Sequence, residues 1–469
     1  MESNTPPSSA SADQARLQLV IGKAIALLVV FGLLILGLAK TQGVLAERQQ
    51  LRAEAIEEIS ASWGKPQTIV GPVLEIPVTI EDRVEVRYQE GQTWAKRWES
   101  RPVRRSVWVM PDSLNYTGTL APERRFRGMY EAVVYRFETI AEASFELRDE
   151  DFSDALEVHW TDSRIVVGLS DARSLRTNPA LTINGKATKL EPAIADPRWE
   201  GTVFGRLTGL SDVISHKLHV RLELNGHGTS HLNIAPLGED SHIALTGAWT
   251  HPSFQGPPLP TAREVSEDHF SAQWDTTGFA RGFPQVTIDR EGAFLSLEQL
   301  EKTTIGVRLL QPLDSYRLVE RSLKYGILFI VLVFTVFLLF EILAGLRLHP
   351  VQYLLVGAAL TLFFLGFLAL SEVIAPAVAY FIPALATTLL ITVYVRAVLG
   401  AGKRSWSIFS GLIGIYSYLY FVLQSESYAL LAGTFLLFAV LGGVMWSTRN
   451  LNWYRLKNQS RGCNHSLNT

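Results

Sequence analysis

The stretch "FEILAGLRLHPVQYLLVG", residues 340–357, joins two long apolar runs and holds Arg347, His349 and Pro350 at its centre. A cation, a titratable ring and a helix breaker between two lipid-soluble segments mark a turn between membrane spans. Pro350 fits the start of the second span, because a residue in the first helical turn has no intrahelical N–H bond to lose. Arg347 reads as a topology anchor, since lysine and arginine in short loops mark the cytoplasmic side. His349 reads as a polar loop residue or helix cap. Glu341 lies toward the same end of the preceding span, within reach of Arg347 on a helix of ordinary pitch.

A spanning helix needs about 20 apolar residues. Residues 325–346, 351–371, 373–395, 405–424 and 427–448 meet that requirement, and an earlier run at 19–42 meets it with Lys23 as an interruption near its start. The first run is too long for the core of a cleaved signal peptide and reads as an uncleaved anchor. Basic residues follow alternate spans: Arg347, then Arg396, Lys403 and Arg404, then Arg449, Arg455 and Lys457. The other two short loops carry Glu372 and Glu426. Both termini, residues 1–18 and 449–469, are therefore expected in the cytoplasm, and residues 43–322 outside it.

The chain of 469 residues carries a net charge of -2 and is 19% charged, yet its mean hydropathy is +0.16. That combination fits a polar part joined to a membrane part. Near-neutral charge argues against a nucleic-acid partner, which needs a basic footprint. Cys463, the single cysteine, permits neither an internal disulfide nor a cysteine-based metal site.

Within residues 43–322, "LAERQQLRAEAIEEISASWG" extends the first helix, with Gly64 near its end and Pro66 just beyond. From "QTIVGPVLEIPVTI" onward, β-branched and aromatic residues cluster between turn formers. In "HKLHVRLEL", 216–224, Leu218, Val220, Leu222 and Leu224 alternate with polar residues, placing one face on a core. An echo links "GLSDARSLRTNPALTINGKAT", from Gly168, to "GLSDVISHKLHVRLELNGHGT", from Gly209. Asn184-Gly185 and Asn225-Gly226 both follow apolar alternation, the pattern of a tight hairpin turn. Two copies of one loop–strand–hairpin unit, within a β-sandwich, are the expectation.

His216, His219, His227, His231, His242 and His251 crowd one region. Residues 216 and 219 point to opposite faces of a strand, and no cysteine or carboxylate spacing completes a zinc pattern. No metal and no cofactor are expected. A Gly-x-Ser-x-Gly elbow, a phosphate loop and a His-Glu-x-x-His pattern are all missing from the sequence, so no catalytic residues are assigned. In the fifth span Tyr416 and Tyr420 share a helix face that Gln424 continues. They read as interhelical packing with bonded hydroxyls, or as the lining of a polar cleft. Pro376 and Pro383 point to a bend in the fourth span.

Long stretches carry a family resemblance: "SWGKPQTIVGPVLEIPV", "WTHPSFQGPPLPTAREVSEDHFSAQW", "VRLLQPLDSYRLVERSLKYGILF", "FEILAGLRLHPVQYLLVGAALTLFFLGFLALSE" and "SYALLAGTFLLFAVLGGVMWSTRNLNWY". In this order, over about residues 45–457, the chain resembles the CreD family of bacterial inner-membrane proteins linked to cell-envelope integrity. The resemblance implies an envelope role and brings no catalytic residues with it. The expectation is a membrane α-helical plus all-β protein: one N-terminal anchor helix, a large periplasmic β-rich domain and a C-terminal five-helix transmembrane bundle. It would act as a non-enzymatic scaffold or binding protein, with membrane lipid around it and an envelope protein or peptidoglycan as partner. A transporter or lipid-handling protein is the alternative.

Overall fold

The computed structural model describes residues 9–90, 93–192, 201–206, 217–290, 300, 302–311, 315–344, 348–399, 403–425 and 428–449. The chain divides into two compact units, Arg52–Pro312 and a helical unit made of Met1–Leu51 with Leu313–Thr469.

In the first unit the strands form two sheets joined through a shared edge strand. One sheet runs β14 (Ala262–Val265), β15 (Phe270–Thr277), β12 (Asp240–Gly247), β3 (Ser113–Arg127), β4 (Tyr130–Glu146), β10 (Lys217–Thr229), β7 (Ala180–Ile183) and β8 (Lys186–Pro192). It is antiparallel except where β12 lies parallel to β3. From β8 the second sheet continues through β9 (Gly201–Arg206), β6 (Arg164–Leu169), β1 (Gln67–Glu90), β2 (Thr93–Val109) and β16 (Val286–Asp289). The start of β1 also pairs in parallel with β11 (His231–Ile234), which leads to β17 (Ile305–Leu309) and β13 (Pro252–Gln255), while β5 (Ala155–Val158) lies along its middle.

Alternation in the sequence sets the layers. β12, β15, residues 113–121 of β3 and residues 217–224 of β10 bury every second residue, as a pleated strand with one apolar face must. The two sheets share one core, in which Tyr116, Tyr135, Phe137, Phe145, Phe270 and Trp274 are almost completely buried. Each such aromatic side chain contributes roughly 1.5–3 kcal/mol by leaving water. Beyond Ile80, β1 pairs only with β2 among the described strands, giving a two-stranded arm from Glu81↔Pro102 to Glu90↔Thr93. Trp94 and Trp98 stand exposed on one face of this arm.

The two Asn-Gly pairs part company. Asn184 and Gly185 have φ of 48° and 78° and turn β7 back into β8, which is the tight hairpin expected. Asn225-Gly226 is no turn. It lies inside β10, whose ladder with β4 runs unbroken through Asn225↔Glu138 and Gly226↔Phe137. The glycine is there for space: a Cβ on Gly226 would lie 2.7 Å from the Cζ of Phe137. The two echoed segments thus adopt different structures where both are described, and Gly209–His216 lies outside the described residues. Where they meet, they are neighbours in the sheet, with β7 paired to β10 at Leu181↔Leu222.

Helix α1 spans Ser9–Trp63 without a break. It ends where the sequence places its stop, with Gly64 donating its N–H to the Ser60 carbonyl at 2.9 Å. In the first unit its last turns pack Ile56, Ile59 and Trp63 with Ala132 and Val134.

The helical unit continues with α2 (Ser315–Lys324), α3 (Gly326–Ala344), α4 (Pro350–Ser371), α5 (Pro376–Leu399), α6 (Lys403–Gln424) and α7 (Ala429–Thr448). The apolar run 19–42 lies inside α1, and the other five apolar runs overlap α3 to α7. By length and composition, α1, α4, α5 and α6 can each cross a membrane, α2 and α3 together form a candidate span bent by 48°, and the apolar stretch Leu431–Trp446 of α7 is shorter. α1 buries a stripe of Val30, Leu34, Leu38 and Leu45 while Leu28, Val29 and Leu36 stay exposed. The stripe meets glycines: a Cβ on Gly357 would lie 2.2 Å from Leu34, and one on Gly326 would lie 3.2 Å from Leu38. Small residues let apolar helices approach closely where no water drives them together. Pro376 opens α5, and Pro383 lies inside it.

Candidate functional site

Two gatherings of polar side chains within the helical unit involve residues that the sequence singled out. The first surrounds Glu341, near the end of α3. Its side chain is only 11% exposed and pairs with Lys23 of α1. The other carboxylate oxygen accepts the Tyr353 hydroxyl of α4 at 2.8 Å, and the Leu348 N–H approaches Oε1 at 3.4 Å. Tyr353 is fully packed, with Phe334 and Phe337 edge-on to its ring. The expected partner, Arg347, lies outside the described residues. Among the described residues, the cation that Glu341 meets comes from the other end of the sequence. Lys23, read there as an interruption of the first run, is half of a charge pair that joins α1 to α3.

His349 and Pro350 take the structural roles expected of them. His349 is the N-cap of α4, its Nδ1 accepting the Val351 N–H at 3.4 Å while its own N–H donates to Gln352 at 3.0 Å. Pro350 is the first residue of that helix. Together they satisfy N–H groups that a helix start would leave orphaned.

The second gathering surrounds Tyr416 of α6. Its Oη lies 2.9 Å from the Thr387 hydroxyl of α5, and its carbonyl accepts the Tyr380 hydroxyl at 2.7 Å. Thr387 also donates to the carbonyl of Pro383 at 2.7 Å. Phe329 and Phe363 pack on the Tyr416 ring at 5.0 and 4.8 Å. Tyr420 continues the face, packed on Tyr380 and Phe381, and Gln424 donates to its hydroxyl at 3.0 Å from an exposed position. Of the two readings of this face, packing with bonded hydroxyls is the arrangement present at Tyr416. Sequence reasoning singled out neither Thr387 nor Tyr380.

The histidines of the β unit disperse. His216 lies outside the described residues, and His242 pairs with Asp275 at 2.6 Å on the exposed face of β12. Among the described residues no three His, Cys, Asp or Glu side chains gather in a metal-holding group. His227 is buried and stacks on Trp63 at 3.9 Å with parallel rings, and Arg125 lies over the same indole. Burial, then the Arg176 charge, depress the His227 imidazole below its usual range, and burial with Arg308 does the same for His231. Below the ordinary value of about 6.5 the unfolded chain binds protons that the folded chain refuses. Their contribution is therefore complete above that pH and is lost as pH falls through it toward the folded values. Tryptophan-monitored urea unfolding of the full chain in detergent should give a lower midpoint at pH 5 than at pH 7.5, and replacing both histidines by glutamine should flatten the difference. An equally steep dependence in that variant would assign the effect to other groups.

On the outer face of the β14-to-β8 sheet lies an open groove of about 450 Å³. Thr117 and Thr119 of β3, Glu138 of β4, Glu223 of β10, Thr246 of β12 and Asn178 in the loop before β7 line it. No sequence motif marks this groove, because its lining comes from short pieces of several strands far apart in the sequence.

Comparison with known proteins agrees with the apolar helices. The family model described as "Inner membrane protein CreD" matches residues 19–454. Inner membrane protein CreD of Escherichia coli (strain K12) is 32% identical over 428 residues, covering 90% of this chain and 91% of that protein. The match takes in α1 from residue 19 onward, both sheets and every helix of the C-terminal series, and so the chain belongs to the CreD family of inner membrane proteins.

Proposed function

We propose that this protein maintains the cell envelope as a non-enzymatic binding scaffold. In this reading six spans hold it in the inner membrane with both termini cytoplasmic, and the β unit lies in the periplasm and engages an envelope protein or peptidoglycan. The observation that carries the binding role is the groove on the outer sheet face. Hydroxyl, amide and carboxylate groups converge there on one concavity, an arrangement suited to hydrogen-bonded recognition. The orientation is supported by the basic residues that follow alternate spans.

Two measurements test it. A reporter active only in the periplasm should be active when fused after residue 100 and silent after residue 402 or 460. Activity at 460 overturns the orientation. In cells lacking their own copy, Thr119→Trp with Thr246→Trp should fill the groove and abolish restoration of envelope-stress tolerance at unchanged protein level. Full restoration by the filled variant overturns the binding role.

A further inference from the structure

The β unit receives the chain from α1 at Arg52 and releases it at Pro312 toward α2 and α3. Gln311 ties these two connections to one hairpin. Its Oε1 accepts from the Arg52 guanidinium, and its Nε2 donates to the Glu131 carbonyl at 3.2 Å. Glu131 lies in β4, beside the turn at Gly128 and Met129 that joins β3 to β4. Two contacts give the hairpin its direction. The Trp63 indole N–H donates to the Tyr135 carbonyl at 3.4 Å, whereas Glu131, four residues nearer the turn, is linked through Gln311 to Arg52, eleven residues earlier in α1. Toward its turn, the hairpin therefore follows α1 back in the direction of the apolar run.

The turn exposes apolar side chains. Phe126 is 66% exposed and Met129 46%, and Leu310, next to Gln311, is 45% exposed. The arginines around them are engaged within the protein: Arg124 with Glu131 at 3.3 Å, Arg125 with Glu123 at 2.7 Å, and Arg127 with Glu58. What the turn offers a partner is apolar area whose neighbouring charges are already paired. Arg52 lies ten residues beyond the run that ends at residue 42, about 15 Å along a helix. Strand geometry carries the chain back about 7 Å from Glu131 to Met129, before the side chain adds its own length. The polar layer on each side of a bilayer's hydrocarbon core is roughly 5–8 Å deep, so the turn reaches that layer.

We propose that the β3–β4 turn is a membrane anchor, with Phe126 and Met129 entering the headgroup layer of the bilayer that α1 crosses. The occupant is a phospholipid surface because both connections beside the turn lead into apolar segments of membrane-spanning length. Apolar and aromatic side chains held at that level gain by burial among headgroups. Since the arginines are paired, the contact does not depend on headgroup charge. The inference rests on α1 crossing the bilayer, holds for either orientation and is independent of the groove.

Cys463 is the single cysteine, so Cys463→Ser gives a background for labelling one site at a time. The full-length protein with bimane at Phe126→Cys or Met129→Cys is placed in phosphatidylcholine nanodiscs with and without a nitroxide on the headgroup. The nitroxide should lower the emission at either position at least twofold. Phe279→Cys is the reference: Phe279 is 98% exposed at the far end of β3, where Asp240 pairs with both Ser113 and Thr277. Its emission should not change. Leu33→Cys, exposed on α1, should be quenched by an acyl-chain nitroxide and so reports the span itself. Quenching at 126 and 129 no greater than at 279, with Leu33→Cys quenched, overturns the anchor; an unquenched Leu33→Cys overturns the span on which it rests. Phe126→Ser added to Met129→Cys should at least halve the quenching at 129, and unchanged quenching there means proximity without insertion and overturns the anchor. Replacing half of the lipid by phosphatidylglycerol should alter nothing. Quenching that appears only with that lipid makes the contact electrostatic and overturns the apolar assignment.

Discussion

Gly226→Val should destabilise the β unit by on the order of 1–3 kcal/mol, toward the upper end for a buried, rigid neighbour. The cause is steric. A Cβ at position 226 would sit 2.7 Å from Cζ and 2.9 Å from Cε1 of Phe137, and Phe137 is completely buried in the shared core. The ring has no free direction in which to retreat, because closely packed interiors transmit strain rather than absorb it. Gly185→Val makes a useful contrast. A Cβ there meets nothing within 4 Å, and only its φ of 78° resists a side chain. Its cost is of order 1–3 kcal/mol, borne by local backbone strain at a hairpin tip rather than by the core. Urea unfolding followed by tryptophan fluorescence separates the two. Phe137→Leu should partly restore Gly226→Val and do nothing for Gly185→Val, since only neighbouring sites couple. An unchanged midpoint in Gly226→Val would mean that β10 and β4 do not pack at this position.

The second large effect is expected at the charge pair between α1 and α3. Lys23→Met leaves the Glu341 carboxylate with the Tyr353 hydroxyl and the Leu348 N–H as its remaining partners among the described residues. Breaking a buried pair from one side strands a charge, which costs about 3–5 kcal/mol when burial is complete. The Lys23 side chain is 31% exposed, so solvent screening reduces this to on the order of 1–2 kcal/mol. A loss of that size lowers cellular abundance several-fold. Glu341→Lys alone brings two cations together and should be worse. The exchange of both, Lys23→Glu with Glu341→Lys, should recover part of the abundance. Immunoblotting of membrane fractions reads all three. If the exchanged protein is no more abundant than Glu341→Lys alone, the pair contributes nothing and each residue acts separately.

The helical half was legible because its signals are local. Apolar run length located α3 to α7, and the sequence His349-Pro350 announced a capped helix start that the hydrogen bonds of His349 and Gln352 complete. Glu341 was singled out by its helical spacing to Arg347, which lies outside the described residues, whereas its pairing with Lys23, 318 residues away, is beyond any argument from helical spacing. In the β unit, alternation revealed which strand faces were buried. It did not distinguish the two Asn-Gly pairs, because the same dipeptide satisfies two physical demands. At Asn184-Gly185 the demand is positive φ; at Gly226 it is room for an aromatic ring from another strand. Only the pairing of β10 with β4 separates them, and pairing is a long-range property. The outer-face groove was invisible for the same reason.

The arm formed by β1 and β2 has a consequence in the time domain. From Leu74 to Ile80, β1 is held on one side by β2 and on the other by β6 or β5, and its side chains enter the shared core. From Glu81 onward the same strand has β2 as its only described neighbour. Burial of a face is what fixes register and slows opening. One continuous strand therefore carries two clocks. Amide protons near Ile76 exchange with solvent only when the whole unit opens, while those near Arg87 exchange with each brief fraying of the arm, one face of which carries Trp94 and Trp98.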